Sequence, residues 1–127
     1  KNIVDKLRKG LPEDVEIIAL GTNALATANM LKAGANEGAT GENAIAFMAD
    51  KVDIIVGTVA ILAVNGMLGE LTPRMAGAVA NSPARKILLP INRCGIEIIG
   101  VDGEPLPHQI EKLLKKIMKI WRDEYNV

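Results

Sequence analysis

Residues 15–34 read VEIIALGTNALATANMLKAG, and this stretch decides the fold class. Its first six residues are apolar except for Glu16, which is typical of a strand that is buried on both faces. A Gly-Thr-Asn turn follows at residues 21–23, and residues 24–33 predict a helix that Gly34 ends. A buried strand that runs directly into a helix is the repeating unit of α/β proteins with parallel sheets.

The same alternation continues on both sides of this stretch. Residues 1–11 carry apolar side chains at helical spacing, and Gly10 and Pro12 end the predicted helix. Further buried strands are predicted at residues 52–56 and 86–89, and the apolar stripe of a last helix runs from Ile110 to Trp121. We therefore expect a single α/β domain over residues 1–127, with a Rossmann-like, doubly wound, mostly parallel sheet and helices on both faces.

Other segments have less regular patterns. Thr72 and Pro73 predict a helix start, because a capping hydroxyl and a proline at the first helical position both favour that boundary. Residues 34–41, GANEGATG, predict a flexible loop, with a mobile lid or a phosphate-binding loop as the alternatives. Residues 59–71 predict a buried helix or loop, and residues 96–101 predict a strand.

The order of the predicted elements has an unusual feature. A helix precedes the first strand, whereas the crossover unit of a doubly wound sheet runs from strand to helix to strand. We therefore expect the first strand to be missing from this sequence and to lie ahead of Lys1, together with a strand-to-helix turn. In folds of this kind, that turn is the one that binds phosphate.

The composition excludes several classes of function. Fifteen basic side chains balance fifteen acidic ones and aromatic residues make up 2%, so neither charge nor base stacking favours a nucleic-acid partner. The longest apolar stretch, residues 52–64, is too short to span a membrane and contains Asp53. The single cysteine, Cys94, excludes an internal disulfide and a multi-cysteine metal site. We expect a cytoplasmic protein without a metal, a nucleic-acid partner or a membrane partner.

Glycine and polar residues follow three of the predicted strands. Ligands of open parallel sheets lie beyond the carboxyl ends of the strands, where glycine permits close approach and Thr and Asn supply hydrogen-bonding groups. An arginine at such a place can hold a phosphate or carboxylate with two hydrogen bonds. For any single segment, the alternative explanation is that these residue types form good turns. The candidate ligand-binding residues are Gly21, Thr22, Asn23, Gly57, Thr58, Asn92 and Arg93.

Several residues with reactive or ligating side chains can be explained by a structural role instead of a functional one. Asn23 occupies the place of the ribose-binding acid of the dinucleotide fingerprint, although it also suits a helix cap. His108 is typical of a solvated residue at a helix start, and Cys94 of a small buried apolar residue rather than a reactive thiolate. No Ser-His-Asp pattern, metal-ligand cluster or carboxylate pair is found. The catalytic residues are therefore unknown, and so is whether the protein is an enzyme.

Three stretches resemble a known family: EIIALGTNALATA at residues 16–28, LKAGANEGATGENAI at residues 31–45, and NRC at residues 92–94. The family consists of small uncharacterised bacterial proteins, mainly from Firmicutes, that share a domain of unknown function. The resemblance implies a Rossmann-like nucleotide-binding protein and implies no catalytic residue. It also implies a short apolar strand and a turn of the form Gly-x-Gly-Gly-Gly-Ile-Gly ahead of the first helix, which this sequence lacks.

These patterns together predict a protein that binds a nucleotide or dinucleotide at the carboxyl ends of its strands. The alternative is a non-enzymatic oligomeric or regulatory module with the same fold. We also expect a homodimer, because residues 59–71 and the stripe of the last helix offer more apolar surface than a small sheet covers. The alternative to a dimer is that both segments cover the two faces of the sheet in a monomer.

Overall fold

The computed structural model describes residues 2–91, 95–101 and 103–125, and these residues form a mixed α/β structure. A 3-10 helix, Val59–Leu62, follows the third strand, and a π-helical segment, Trp121–Tyr125, follows the last α-helix. The other elements are α1 (Asn2–Gly10), β1 (Ile18–Gly21), α2 (Ala24–Lys32), β2 (Glu37–Thr40), α3 (Glu42–Met48), β3 (Ile54–Thr58), α4 (Pro73–Asn81), β4 (Arg85–Leu89) and α5 (Leu106–Ile120). The predicted α/β class is confirmed.

The four strands of the described residues form two small parallel sheets. β1 pairs with β2, so that Gly21 lies opposite Thr40 at the carboxyl ends. β3 pairs with β4, so that Thr58 lies opposite Leu89. Within the described part of the chain, no strand joins the two pairs. The structure therefore contains two parallel pairs where the sequence predicted a single doubly wound sheet.

β2 lies where the sequence predicted a flexible loop, and that prediction was wrong. The strand consists of Glu37, Gly38, Ala39 and Thr40 and is mostly exposed. Glutamate, glycine and alanine are depleted in strands, so its local propensity for extended structure is low. Pairing with β1 orders it instead. A Cβ atom on Gly38 would lie 2.9 Å from Cγ2 of Thr27, which shows how closely α2 packs on this strand.

Residues 96–101, in contrast, form no strand, and the prediction of one was wrong. Ile99 is 97% exposed, and the other apolar side chains of the segment are exposed as well. Gly100 has a φ of 89°, a left-handed conformation that interrupts an extended chain. The apolar composition of this segment was misleading because its side chains do not enter the core.

Two hydrophobic clusters hold the helices against both strand pairs. The first packs α1 and α5 on β3 and β4, and its buried members are Leu7, Leu11, Leu89, Ile110, Leu113 and Ile117. The second packs α3 and α4, and its buried members are Ile45, Leu71, Met75, Ala76 and Val79. Leu20 of β1 and Ile55 of β3 both pack against the second cluster. The two strand pairs therefore share one layer of helices.

The predicted start of α4 is confirmed. Thr72 is the N-cap, with an extended backbone at ψ 160°, and its Oγ1 accepts a hydrogen bond of 3.2 Å from the backbone nitrogen of Met75. Pro73 is the first helical residue, where its missing N–H costs no intrahelical hydrogen bond. None of the helices among the described residues combines the length and the apolar character needed to cross a bilayer.

Candidate functional site

The carboxyl ends of β1 and β2 meet at Gly21 and Thr40. The backbone nitrogen of Gly41 donates a hydrogen bond of 2.9 Å to the carbonyl oxygen of Gly21, which extends the pairing by a residue. Gly21 is buried, and a Cβ atom there would lie 2.2 Å from Oγ1 of Thr27. Only glycine therefore allows α2 to begin this close to the end of the strand.

Thr22 and Asn23 contact the carboxylate of Glu70, which was not among the predicted site residues. Thr22 Oγ1 donates a hydrogen bond of 3.0 Å to Glu70 Oε2, and Asn23 Nδ2 donates one of 3.4 Å to Glu70 Oε1. Asn23 Oδ1 accepts a hydrogen bond of 2.9 Å from the backbone nitrogen of Ala26, so the predicted capping role of Asn23 is confirmed. We call Thr22, Asn23 and Glu70 the strand-end cluster.

A buried threonine of α2 lies next to the strand-end cluster and contacts β2. Thr27 is 6% exposed, and its Oγ1 accepts a hydrogen bond of 2.8 Å from Thr40 Oγ1. The same oxygen lies 3.3 Å from the carbonyl oxygens of Asn23 and Ala39, either of which can accept its proton. These contacts tie the first turn of α2 to both strands, which fixes where Thr22 and Asn23 project.

The second group of predicted residues lies at the end of the other strand pair. Gly57 and Thr58 end β3 opposite Leu88 and Leu89, and a Cβ atom on Gly57 would lie 3.1 Å from Cδ1 of Ile61. Within residues 2–91, 95–101 and 103–125, no side-chain hydrogen bond joins either residue to the strand-end cluster. Of the predicted residues that the structure describes, Thr22 and Asn23 belong to the strand-end cluster, whereas Gly57 and Thr58 lie at the end of the other strand pair.

The third predicted group, Asn92 and Arg93, lies outside the described residues, as does Cys94. Pro90 and Ile91 follow the end of β4, which lies beside the carboxyl end of β3. A cavity of about 310 Å³ lies on this side of the molecule, lined by Pro90, Ile91, Ile98 and Gln109 among others.

Another cavity, of about 430 Å³, lies against the first strand pair. It is lined by Ile18, Leu20, Glu37, Gly38, Ala39 and Met48, so it faces the sheet and α3 rather than the strand ends. It contains none of the predicted site residues. Among the described residues, no group of three or more His, Cys, Asp or Glu side chains is arranged to hold a metal ion.

An arginine, Arg8, lies at the opposite end of β1. Arg8 Nη1 donates hydrogen bonds of 3.0 Å to the carbonyl oxygen of Val15 and to Asn36 Oδ1, and Nη2 donates one of 2.7 Å to the carbonyl oxygen of Pro12. Asn36 Oδ1 also accepts a hydrogen bond of 2.8 Å from the backbone nitrogen of Ile17. Arg8 therefore stabilises the amino end of β1, whereas the carboxyl end carries the negative charge of Glu70.

Residues 1–122 match the model of a protein family that is described as a domain of unknown function, DUF3842. The chain belongs to the DUF3842 family. The resemblance to a family of uncharacterised proteins is thus confirmed. No curated protein and no solved structure matches the chain.

In this DUF3842 chain, Glu70 is the site residue that the sequence analysis missed. It lies 48 residues after Thr22, in a loop that precedes the cap of α4. No spacing rule links such a loop to the end of β1, although the neighbouring Leu71 is a buried member of the second hydrophobic cluster. An acidic residue next to a recognisable helix start is the only local signal that the sequence offers.

Proposed function

We propose that this protein binds a nucleotide or dinucleotide at the carboxyl ends of its parallel strands, in the bacterial cytoplasm. The ligand would lie among Gly21, Thr22, Asn23, Gly57, Thr58, Asn92 and Arg93. The observation that carries the proposal is the strand-end cluster, in which a hydroxyl, an amide and a carboxylate meet beyond the end of β1. Such polar groups at the carboxyl end of a parallel strand are typical of ligand sites in α/β proteins.

The proposal includes a doubly wound sheet in which a further parallel strand lies between β1 and β3. Among the described residues, β1 pairs only with β2 and β3 only with β4, which leaves an unpaired edge on each strand. Every residue of β3 is only partly buried, although helices pack on both of its faces. An added strand would bury β3 and give the order β2, β1, added strand, β3, β4, as in Rossmann folds.

The strand expected ahead of Lys1 is our candidate for this position. Its glycine-rich turn would then reach the same edge of the sheet as the strand-end cluster and would bind the phosphates. The reading frame upstream of Lys1 tests this. We expect an apolar segment and a glycine-rich turn, and an initiator codon directly before Lys1 would contradict the added strand.

Thermal denaturation of the full-length protein tests the proposed function. We expect stabilisation by at least one member of a panel of NAD(H), NADP(H), FMN, ATP and acyl-CoA. A ligand at a hundred times its dissociation constant adds about 2.7 kcal/mol to the free energy of unfolding. If no nucleotide on the panel raises the melting temperature, the proposed function is wrong.

Replacing Arg93 with alanine separates a ligand site from a structural role. We expect Arg93→Ala to lose most of the nucleotide response while the melting temperature without ligand stays unchanged, because the guanidinium would bind a phosphate. Arg122→Ala is the matched control, since Arg122 is exposed after the end of α5. Equal nucleotide responses in the two variants would show that Arg93 does not bind the nucleotide.

A second candidate function is a non-enzymatic homodimeric module, and an exposed apolar patch favours it. The patch consists of Val64, Met67 and Leu68, which are 57%, 43% and 107% exposed. Ile110, Leu113 and Ile117 of α5, by contrast, are buried in the first hydrophobic cluster and need no partner. The dimer proposal therefore rests on the patch alone, where a two-fold contact between copies would cover these side chains.

A further inference from the structure

Glu70 is a carboxylate that a loop holds at the end of a strand to which it is not adjacent in sequence. Its two oxygens accept hydrogen bonds from Thr22 and Asn23 across 48 and 47 residues. Glu70 is itself exposed, so a ligand beyond the end of β1 has access to the carboxylate. A surface carboxylate with both oxygens oriented by neighbouring donors is preorganised to accept further hydrogen bonds.

The loop that carries Glu70 has a costly backbone conformation. Asn65, Met67 and Leu68 have φ values of 63°, 56° and 56°, in the left-handed region that Met and Leu rarely adopt. Hydrogen bonds close the loop, among them one of 2.8 Å from the nitrogen of Asn65 to the carbonyl oxygen of Leu71. Leu71 is 2% exposed and anchors the loop in the core. Conformations of this kind persist where the surrounding structure enforces them, often at binding sites.

The neighbouring amide is a weaker acceptor than this carboxylate. In dinucleotide sites, an acidic residue at the end of the second strand accepts hydrogen bonds from ribose hydroxyls. In the proposed sheet β1 is the second strand, but Asn23 occupies that place, and its neutral Oδ1 already accepts the capping hydrogen bond of α2. A carboxylate forms stronger hydrogen bonds with hydroxyl donors than a neutral amide does. The charged acceptor at this point is Glu70, whose oxygens each have a second lone pair beyond those that meet Thr22 and Asn23.

We propose that Glu70 accepts hydrogen bonds from the 2′- and 3′-hydroxyls of a ribose, and so selects nucleotides with a free vicinal diol. The inference rests on the proposed function and names the ligand class of the same site. A phosphate on the 2′-oxygen would remove a donor and would place negative charge beside the Glu70 carboxylate. The site would therefore discriminate against NADP and against 2′-deoxynucleotides.

Isothermal titration of the full-length protein with matched probes tests this selectivity. We expect NAD⁺ to bind at least about tenfold more tightly than NADP⁺, and AMP about tenfold more tightly than 2′-deoxy-AMP, which is the ratio that one lost charge-assisted hydrogen bond produces. Glu70→Gln keeps the shape of the side chain and removes its charge. In that variant, we expect NAD⁺ affinity to fall about tenfold and the ratio of NAD⁺ to NADP⁺ affinity to approach one. Glu13→Gln changes an exposed carboxylate elsewhere and should behave like the wild type.

The outcomes separate this inference from the proposed function. If NAD⁺ and NADP⁺ bind the wild type equally well, Glu70 does not select the diol, although the nucleotide site itself stands. If none of the four probes binds, this inference is overturned directly, and the wider thermal panel then decides the proposed function. The wild-type ratios require no variant, so a purely structural role of Glu70 next to the first turn of α2 would appear as an absence of discrimination.

Discussion

Thr40 donates a hydrogen bond of 2.8 Å from its hydroxyl to Oγ1 of the buried Thr27, and so joins the edge strand β2 to α2. β2 is short, mostly exposed and paired on one side only within the described residues. Its position therefore depends on side-chain contacts with α2 as well as on its ladder with β1. Because the strand-end cluster begins where these elements meet, this contact also bears on the geometry of the candidate site.

We expect Thr27→Val to lower the free energy of unfolding by about 1–2 kcal/mol, because it keeps the shape of the side chain but removes the hydrogen bonds that the buried Thr27 hydroxyl makes with Thr40 and with a backbone carbonyl. Chemical denaturation of Thr27→Val, Thr40→Val and the double variant measures the coupling between the two side chains. A coupling of about 1 kcal/mol is expected, and strictly additive effects would show that the hydrogen bond contributes nothing.

Gly38→Ala should destabilise the protein by about 1–3 kcal/mol, because a methyl group there would overpack the contact with α2. The added Cβ would lie 2.9 Å from Cγ2 of Thr27 and 3.1 Å from Cδ1 of Leu31. The midpoint of urea denaturation reports the change. A neutral result would mean that α2 moves away from β2 without cost.

Gly77→Ala should stabilise the protein, in contrast to Gly38→Ala, and is the matched control for a glycine replacement. Gly77 lies inside α4, and a Cβ atom there would meet nothing within 4 Å. Alanine is the better helix former, so we expect the free energy of unfolding to rise by about 0.5–1 kcal/mol in the same urea titration. A loss of stability would show that α4 needs a glycine at this position for a reason other than space.

Thr72→Ala should lower the free energy of unfolding by about 1 kcal/mol or more, because it removes the N-cap of α4. The same hydroxyl donates a hydrogen bond of 2.8 Å to Glu42 Oε1, which links α4 to the first turn of α3. Thr72→Ser retains both contacts and should lie within a few tenths of a kcal/mol of the wild type. Equal melting temperatures for the alanine and serine variants would exclude a capping contribution.

The homodimer proposal predicts a mass change when Leu68 is made polar. Light scattering at micromolar concentration should give a dimer for the wild type and a monomer for Leu68→Glu, because the charge would be buried at the contact. Leu25→Glu is the control, since Leu25 is 71% exposed on α2 and lies outside the patch. A wild-type mass that stays monomeric as the concentration rises would rule out the dimer.

The sequence by itself determined the elements whose signals are local. Thr72 and Pro73 predicted the start of α4, the apolar run before Gly21 predicted β1, and the stripe that includes Ile110 and Ile117 predicted α5 and its buried face. These signals come from capping groups, fixed backbone angles and hydrophobic periodicity, which act within a few residues of chain. Asn23 as the cap of α2 belongs to the same class.

Only the tertiary structure decided the features that depend on distant partners. Glu37–Thr40 forms a strand because it pairs with β1. Residues 96–101 form no strand, although their sequence is more apolar. Glu70 contacts Thr22 from a loop whose neighbouring residue, Leu71, is buried in the core, and the only local signal near it is the helix start at Thr72. The physical reason is that strand pairing and the contact between Thr22 and Glu70, which are 48 residues apart in sequence, depend on how the whole chain packs. Local propensity does not encode that packing.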